Sequence, residues 1–269
     1  MVGWSKLRRR FFPRRRVRAR ALETIRDVRS PQLGNTRHVT VYLPPSYDRS
    51  NRRYPIIYMQ DGQNLFERST SFAGDWGLVD RLDGLAASGI EAIVAGVWNS
   101  PQERLNEYSP FRDAKHGGGS GDRYLSFLVD TLKPLLDAKF PTETAPSATG
   151  IGGSSMGGLI SAYGLFARAD TFGFGSVQSP SVWFADTALL DFVASSTKPQ
   201  GPLYLDVGRK EGDRALGDVR RLRELLVARN YRDGADLMYD EDPDGEHNEA
   251  AWGRRFPRAL AFLLSRSGA

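Results

Sequence analysis

The chain of 269 residues contains no cysteine and only three histidines. No stretch of it is apolar for long enough to span a bilayer. The missing cysteines exclude disulfides, thiolate nucleophiles and cysteine-ligated metals, and leave the compartment open. The scarcity of histidine confines any general base of that type to His38, His116 and His247. Acidic residues are absent from positions 1–20, which hold nine of the 37 basic residues: Lys6, Arg8, Arg9, Arg10, Arg14, Arg15, Arg16, Arg18 and Arg20. The other 28 basic residues face 32 acidic ones, so the formal charge of +5 conceals a mildly acidic body. We read residues 1–20 as a basic N-terminal arm and residues 21–269 as a single domain. Within the arm, Arg8-Arg9-Arg10-Phe11-Phe12 has the paired arginines of an export signal, but further arginines follow where an apolar run of roughly 7–15 residues is needed. A cytoplasmic location without a nucleic-acid partner is therefore expected.

What is present is a regular alternation of strand and helix patterns. Strands are expected near residues 23–28, 36–43, 55–60, 90–98, 147–152, 174–178, 203–207 and 235–239, with helices between the later ones. That order predicts an α/β domain whose mostly parallel sheet of about eight strands has an antiparallel N-terminal edge and helices on both faces. Ligands of such a sheet bind at the carboxyl ends of its strands.

One turn at such an end is chemically suggestive. Gly153-Ser154-Ser155-Met156-Gly157 follows a buried strand pattern and precedes Leu159, Ile160, Tyr163, Leu165 and Phe166, spaced for an apolar helix face. A strand, a sharp turn and a helix present the central serine hydroxyl above the sheet, and the flanking glycines let the turn close. Among 28 glycines the pattern alone carries little weight, so Ser155 stands or falls with its partners. His38 falls in an alternating strand, where a surface position is expected. His116 falls in Lys115-His116-Gly117-Gly118-Gly119-Ser120-Gly121, too flexible a segment to hold a base in register. His247 follows the last strand pattern and precedes a helix bearing Trp252, Phe256 and Leu260, which makes it the expected base. An acid to orient it is sought between the two, where the strand pattern 203–207 runs into Arg209-Lys210-Glu211-Gly212-Asp213. Glu211 is the first choice and Asp213 the alternative, with a helix N-cap as the competing role for Asp213. Backbone donors for a developing oxyanion would be the N–H groups of Met156 and of Gln63, the latter in the turn Asp61-Gly62-Gln63-Asn64.

The loops leaving neighbouring strands supply Asp61, Trp98, Asn99, Arg104, Glu107, Tyr108 and Trp183 as candidate pocket residues, an aromatic and polar set suited to aryl or sugar esters. The acidic run Asp240, Glu241, Asp242, Asp244 and Glu246 lacks the spacing of a calcium loop and reads as a solvated turn; no metal or cofactor is expected.

These segments resemble the esterase D and enterochelin-esterase-like branch of the α/β-hydrolases. The resemblance spans about residues 37–264 and is carried by Val41-Tyr42-Leu43-Pro44-Pro45-Ser46-Tyr47, Tyr58-Met59-Gln60-Asp61-Gly62-Gln63-Asn64-Leu65-Phe66, Arg104-Leu105-Asn106-Glu107-Tyr108-Ser109-Pro110, Gly153-Ser154-Ser155-Met156-Gly157-Gly158-Leu159 and Gly245-Glu246-His247-Asn248. It implies the α/β-hydrolase fold, Ser155 as nucleophile, Glu211 as acid, His247 as base, and Gln63 and Met156 as oxyanion donors. It also implies a cofactor-free serine carboxylesterase acting on a small-molecule ester. A siderophore trilactone esterase, a thioesterase or an acyltransferase would use the same triad, and a binding module that keeps the fold without catalysis is the reading from another class.

Overall fold

The computed structural model describes residues 21–72 and 74–266, so the expected basic arm, with its paired arginines, lies outside the described residues. Ten strands and eight helices succeed one another along these residues. The strands are β1 (Leu22–Ser30), β2 (Asn35–Tyr42), β3 (Ile56–Met59), β4 (Ile93–Val97), β5 (Arg112–Asp113), β6 (Gly117–Gly118), β7 (Thr149–Ser154), β8 (Phe174–Gln178), β9 (Leu203–Gly208) and β10 (Leu237–Asp242). The helices are α1 (Leu78–Ala86), α2 (Arg104–Glu107), α3 (Gly121–Ser126), α4 (Lys133–Lys139), α5 (Met156–Ala167), α6 (Ala188–Ser195), α7 (Asp213–Ala228) and α8 (Glu249–Arg266).

Eight strands form one sheet in the order β1-β2-β4-β3-β7-β8-β9-β10. From β4 to β10 all neighbours are parallel, whereas β2 runs antiparallel to both β1 and β4. All eight expected strands are present, and the antiparallel edge lies where the N-terminal pattern put it. Central strands such as β3 and β4 are buried along their whole length, as continuous apolar runs in a doubly covered sheet must be. Alternation within them then sorts side chains onto two faces. Ile56 and Tyr58 join a core with residues of α3 to α7, while Ile57 and Met59 join a second core under α1 and α8.

Three local expectations differ from what is found. Residues 156–166 of α5 are all buried, so this helix is enclosed on every side instead of showing one apolar face. Residues 115–121 are not a loose glycine run: β5 and β6 close a small hairpin, and the Asp113 carboxylate accepts the N–H groups of Lys115 and His116, both at 2.8 Å. His116 then packs edge-on against Trp183, with ring centroids 5.5 Å apart. The acidic turn near residue 242 is not merely solvated either, because Asp240, Glu241, Asp242 and Asp244 each pair with arginine or lysine.

The short helix α2 is fastened through a buried ion pair. Arg37 on β2 gives two hydrogen bonds, of 2.9 and 3.0 Å, to the Glu107 carboxylate, and both residues are almost wholly buried. Burial alone would lower the Arg37 value, but its bonds to Glu107 outweigh that and raise it. Glu107→Ala would strand the guanidinium in the core, at an expected cost of about 3–5 kcal/mol in denaturant unfolding. Arg37→Met combined with Glu107→Ala should recover most of that loss. A single Glu107→Ala within about 0.5 kcal/mol of wild type would overturn this account.

Candidate active site

The parallel strands deliver their exits to one edge: β3 to Asp61, β4 to Trp98, β7 to Ser155, β8 to Ser179, β9 to Glu211 and β10 to His247. Ser155 is the single residue between β7 and α5, with φ 56° and ψ −124°. A non-glycine residue rarely adopts this conformation, which costs on the order of 1–3 kcal/mol. The surroundings hold it there. Its N–H donates to the Gln178 carbonyl (3.1 Å), and its carbonyl accepts from Ser181 and Leu159 (both 3.0 Å). A methyl group at Gly153 would lie 2.8 Å from the Gly157 carbonyl and 2.9 Å from the Gln60 side chain, and one at Gly157 would lie 2.9 Å from the same side chain. Both glycines are needed because the turn closes directly onto Gln60.

Ser155 Oγ lies 3.0 Å from His247 Nε2, and His247 Nδ1 lies 2.7 Å from Glu211 Oε2. Glu211 ends the 3₁₀ turn Arg209–Glu211 and its side chain is 1% exposed, against 45% for His247. The second oxygen, Oε1, accepts from Gly208 N–H (2.7 Å) and Ser179 Oγ (2.6 Å). Burial alone would raise the Glu211 carboxyl, but the bonds from His247, Ser179 and Gly208 outweigh it and hold the group below its usual value.

Ser179 has no freedom in how it bonds. Trp252 Nε1 (3.0 Å) and Arg255 Nη2 (3.1 Å) approach its oxygen, and neither can accept a proton. The Ser179 hydrogen must therefore point at Glu211. Arg255 is itself fixed by Asp206 at 2.7 and 3.0 Å. Asp206, inside β9, is thus a support one layer below the site. Asp213 is the exposed first residue of α7, and Gly212 occupies the N-cap expected for it, so it neither caps nor reaches His247.

On the other side of Ser155, Asp61 takes a left-handed conformation and Gly62 lies so close to β4 that a methyl group there would fall 2.2 Å from the Gly96 carbonyl carbon. Gln63 follows within the 3₁₀ turn, and Met156 is the first residue of α5, so neither N–H has a carbonyl acceptor within its own helix. The Asp61 carboxylate accepts from Arg104 Nε and Nη2 (both 2.8 Å) and from Asn99 Nδ2 (2.6 Å). Burial lowers the Arg104 value, Asp61 raises it, and the net shift is upward.

A cleft of about 720 Å³ opens over Ser155 and His247. Of the expected pocket residues, Asp61, Trp98, Asn99 and Arg104 line it together with Gln63. Glu107, Tyr108 and Trp183 do not. Glu107 is consumed by Arg37 beneath the floor, Tyr108 is buried and accepts the Asp61 N–H (3.1 Å), and Trp183 stands outside beside His116. His38 sits on β2, where its Nδ1 accepts the Asp27 N–H. The walls also include Asn64, Trp76, Glu249 and Trp252, which sequence reasoning did not assign to the cleft. The helical period marked Trp252 only as core. Ser179 had a sequence signal, its position just past a buried strand, but nothing in its type announced the contact with Glu211.

The family described as "Putative esterase" matches residues 30–263. A protein of Bacillus subtilis, YbbA, described as uncharacterized, is 30% identical over 252 residues, covering 88% of this chain and 96% of its own. The siderophore triacetylfusarinine C esterase of Aspergillus fumigatus is 27% identical over 51% of this chain and 47% of its own length. Among solved structures, the siderophore hydrolase EstA of Aspergillus nidulans superposes with a TM-score of 0.71 at 20% identity, covering 98% of this chain and 99% of that one.

The lowered Glu211 value carries a pH signature. A carboxyl whose folded value lies below its unfolded one, about 4.3, contributes stability above that pH and loses it as pH falls through the folded value. The melting-temperature gap between wild type and Glu211→Gln should therefore be widest near neutral pH and shrink progressively below about pH 4. A gap that stays constant down to about pH 3 would contradict the contacts assigned to Glu211.

Proposed function

The chain belongs to the putative esterase family, and from that premise we propose that it is a serine carboxylesterase working through an acyl-enzyme on Ser155. The observation that carries the reading is the unbroken chain from Ser155 Oγ through His247 to the buried Glu211 carboxylate. Glu211, locked as an acceptor, keeps a proton on His247 Nδ1 and leaves Nε2 to accept from Ser155. As Ser155 Oγ attacks the ester carbonyl carbon, its proton passes to His247 Nε2, and the carbonyl oxygen becomes an oxyanion facing the N–H groups of Gln63 and Met156. Collapse expels the alcohol, which takes the proton from His247. Water then attacks the acyl-enzyme, giving its proton to the same nitrogen, and release of the acid restores Ser155.

The aromatic walls Trp76, Trp98 and Trp252 and the volume of the cleft support an ester with a bulky or flat portion. The name of the Aspergillus fumigatus relative favours siderophore esters as the second substrate reading, although the chain spans about half of that relative's length.

A fluorophosphonate should label the wild type at Ser155 and leave Ser155→Ala unlabelled, with turnover of an aryl ester lowered on the order of 10³-fold or more in the variant. Persistent labelling of Ser155→Ala would transfer the nucleophile elsewhere. Glu211→Gln should lose most activity, whereas Asp213→Asn should stay within about twofold of wild type; the reverse order would reassign the acid. A wild type silent across aryl, feruloyl, acetylated-sugar, thio and catecholate esters would favour the binding-module reading.

A further inference from the structure

The cleft contains a carboxylate that the proposed mechanism does not use. Glu249, the first residue of α8, lines the wall together with Trp252, Asn64 and Asp61. Its carboxylate accepts a hydrogen bond from Asn64 Nδ2 at 3.3 Å, and no arginine or lysine forms an ion pair with it among the described residues. Burial, reinforced by the Asp61 carboxylate, raises its value against the opposing pull of its own backbone N–H, His247 and Arg104.

The cation that could balance it is committed elsewhere. Among the described residues lining the cleft, Arg104 is the one arginine or lysine. Its Nε and Nη2 both bind Asp61, and its guanidinium lies 5.2 Å above the Tyr108 ring. The Nε/Nη2 edge of its planar fork is thereby occupied, and the Asp61 carboxylate offsets its charge. The walls also include the indoles of Trp76, Trp98 and Trp252, and Trp252 packs 6.0 Å from Trp76 and 4.9 Å from His247. Indole faces carry negative electrostatic potential and attract cations. A favourable dipole interaction at the start of α8 would account for an acid at that position, but not for its opening onto the aromatic wall.

We infer that the cleft selects its substrate by charge, with Glu249 and the tryptophan walls favouring an ester that carries an ammonium group and disfavouring its anionic counterpart. This specificity rests on the esterase reading for its chemistry, while the recognition itself is a binding property and can be measured alone.

The probes are phenyltrimethylammonium and benzenesulfonate, of similar size and opposite charge, titrated into the full chain by calorimetry. Phenyltrimethylammonium should bind at least about tenfold more tightly at low ionic strength, and the ratio should fall below about threefold in Glu249→Gln. In the wild type, about 1 M salt should compress the same ratio, which reads the charge effect even if the variant folds poorly. In turnover, a choline ester should exceed its neutral 3,3-dimethylbutyl isostere in kcat/KM, and an alcohol bearing a carboxylate should fall below both. Equal binding of the two probes, tighter binding of benzenesulfonate, or a preference that survives both Glu249→Gln and high salt would overturn the inference. Labelling of Ser155 and hydrolysis of a neutral aryl ester, run on the same preparations, test the esterase reading separately. Hydrolysis without charge discrimination removes this inference alone, and discrimination without hydrolysis removes the esterase reading alone.

Discussion

A hydroxyl that is to stand above a parallel sheet needs the chain to reverse direction within a single residue, and at Ser155 that requirement governs its whole neighbourhood. The backbone sits where a side chain is disfavoured, so the conformation persists only because Gln178, Ser181 and Leu159 fix its amide and carbonyl groups. The bond from Leu159 is the first of the helix, so the strain at Ser155 and the start of α5 come from the same turn. Gly153 and Gly157 follow from how closely that turn approaches Gln60, which is itself held by the Tyr124 hydroxyl. The same closure puts the Met156 N–H at the helix start, where it has no internal acceptor.

Beneath this turn the polar groups are arranged so that donors and acceptors match in only one way. Donor-only Trp252 and Arg255 meet at Ser179, which leaves Ser179 to donate to Glu211 and Glu211 to accept from His247. Buried networks of this kind are costly when incomplete, because each missing partner leaves a desolvated polar atom. Asp206 completes this one by holding Arg255 through two bonds and accepting the Ser179 N–H.

The parts legible in the sequence were those governed by local periodicity or by rarity. Alternating patterns at the N-terminal edge and buried runs beyond it announced the eight strands, and three histidines left few candidates to stand beside Ser155. Long-range pairing was not legible. Glu107 reads as a loop acid near the cleft, and only the fold reveals that Arg37, 70 residues earlier, consumes it. Trp252 looked like helix core, because a helical pattern cannot say which neighbour leaves a gap beside it. Residues 115–121 were misjudged for a local reason: glycine content signals freedom, while the Asp113 carboxylate that organises the turn lies just ahead of the run.

The four-residue α2 is too short to persist by itself, since helix nucleation is unfavourable and so little of it follows. It is nevertheless tied at its first residue to Asp61 beside the cleft and at its last to Arg37 in the sheet. Opening this segment would break both ion pairs and leave buried charges behind, so it has no inexpensive route to local unfolding. The wall of the cleft therefore belongs to the same cooperative unit as the sheet, and its amide protons should exchange with solvent on the timescale of the core and not of a surface loop.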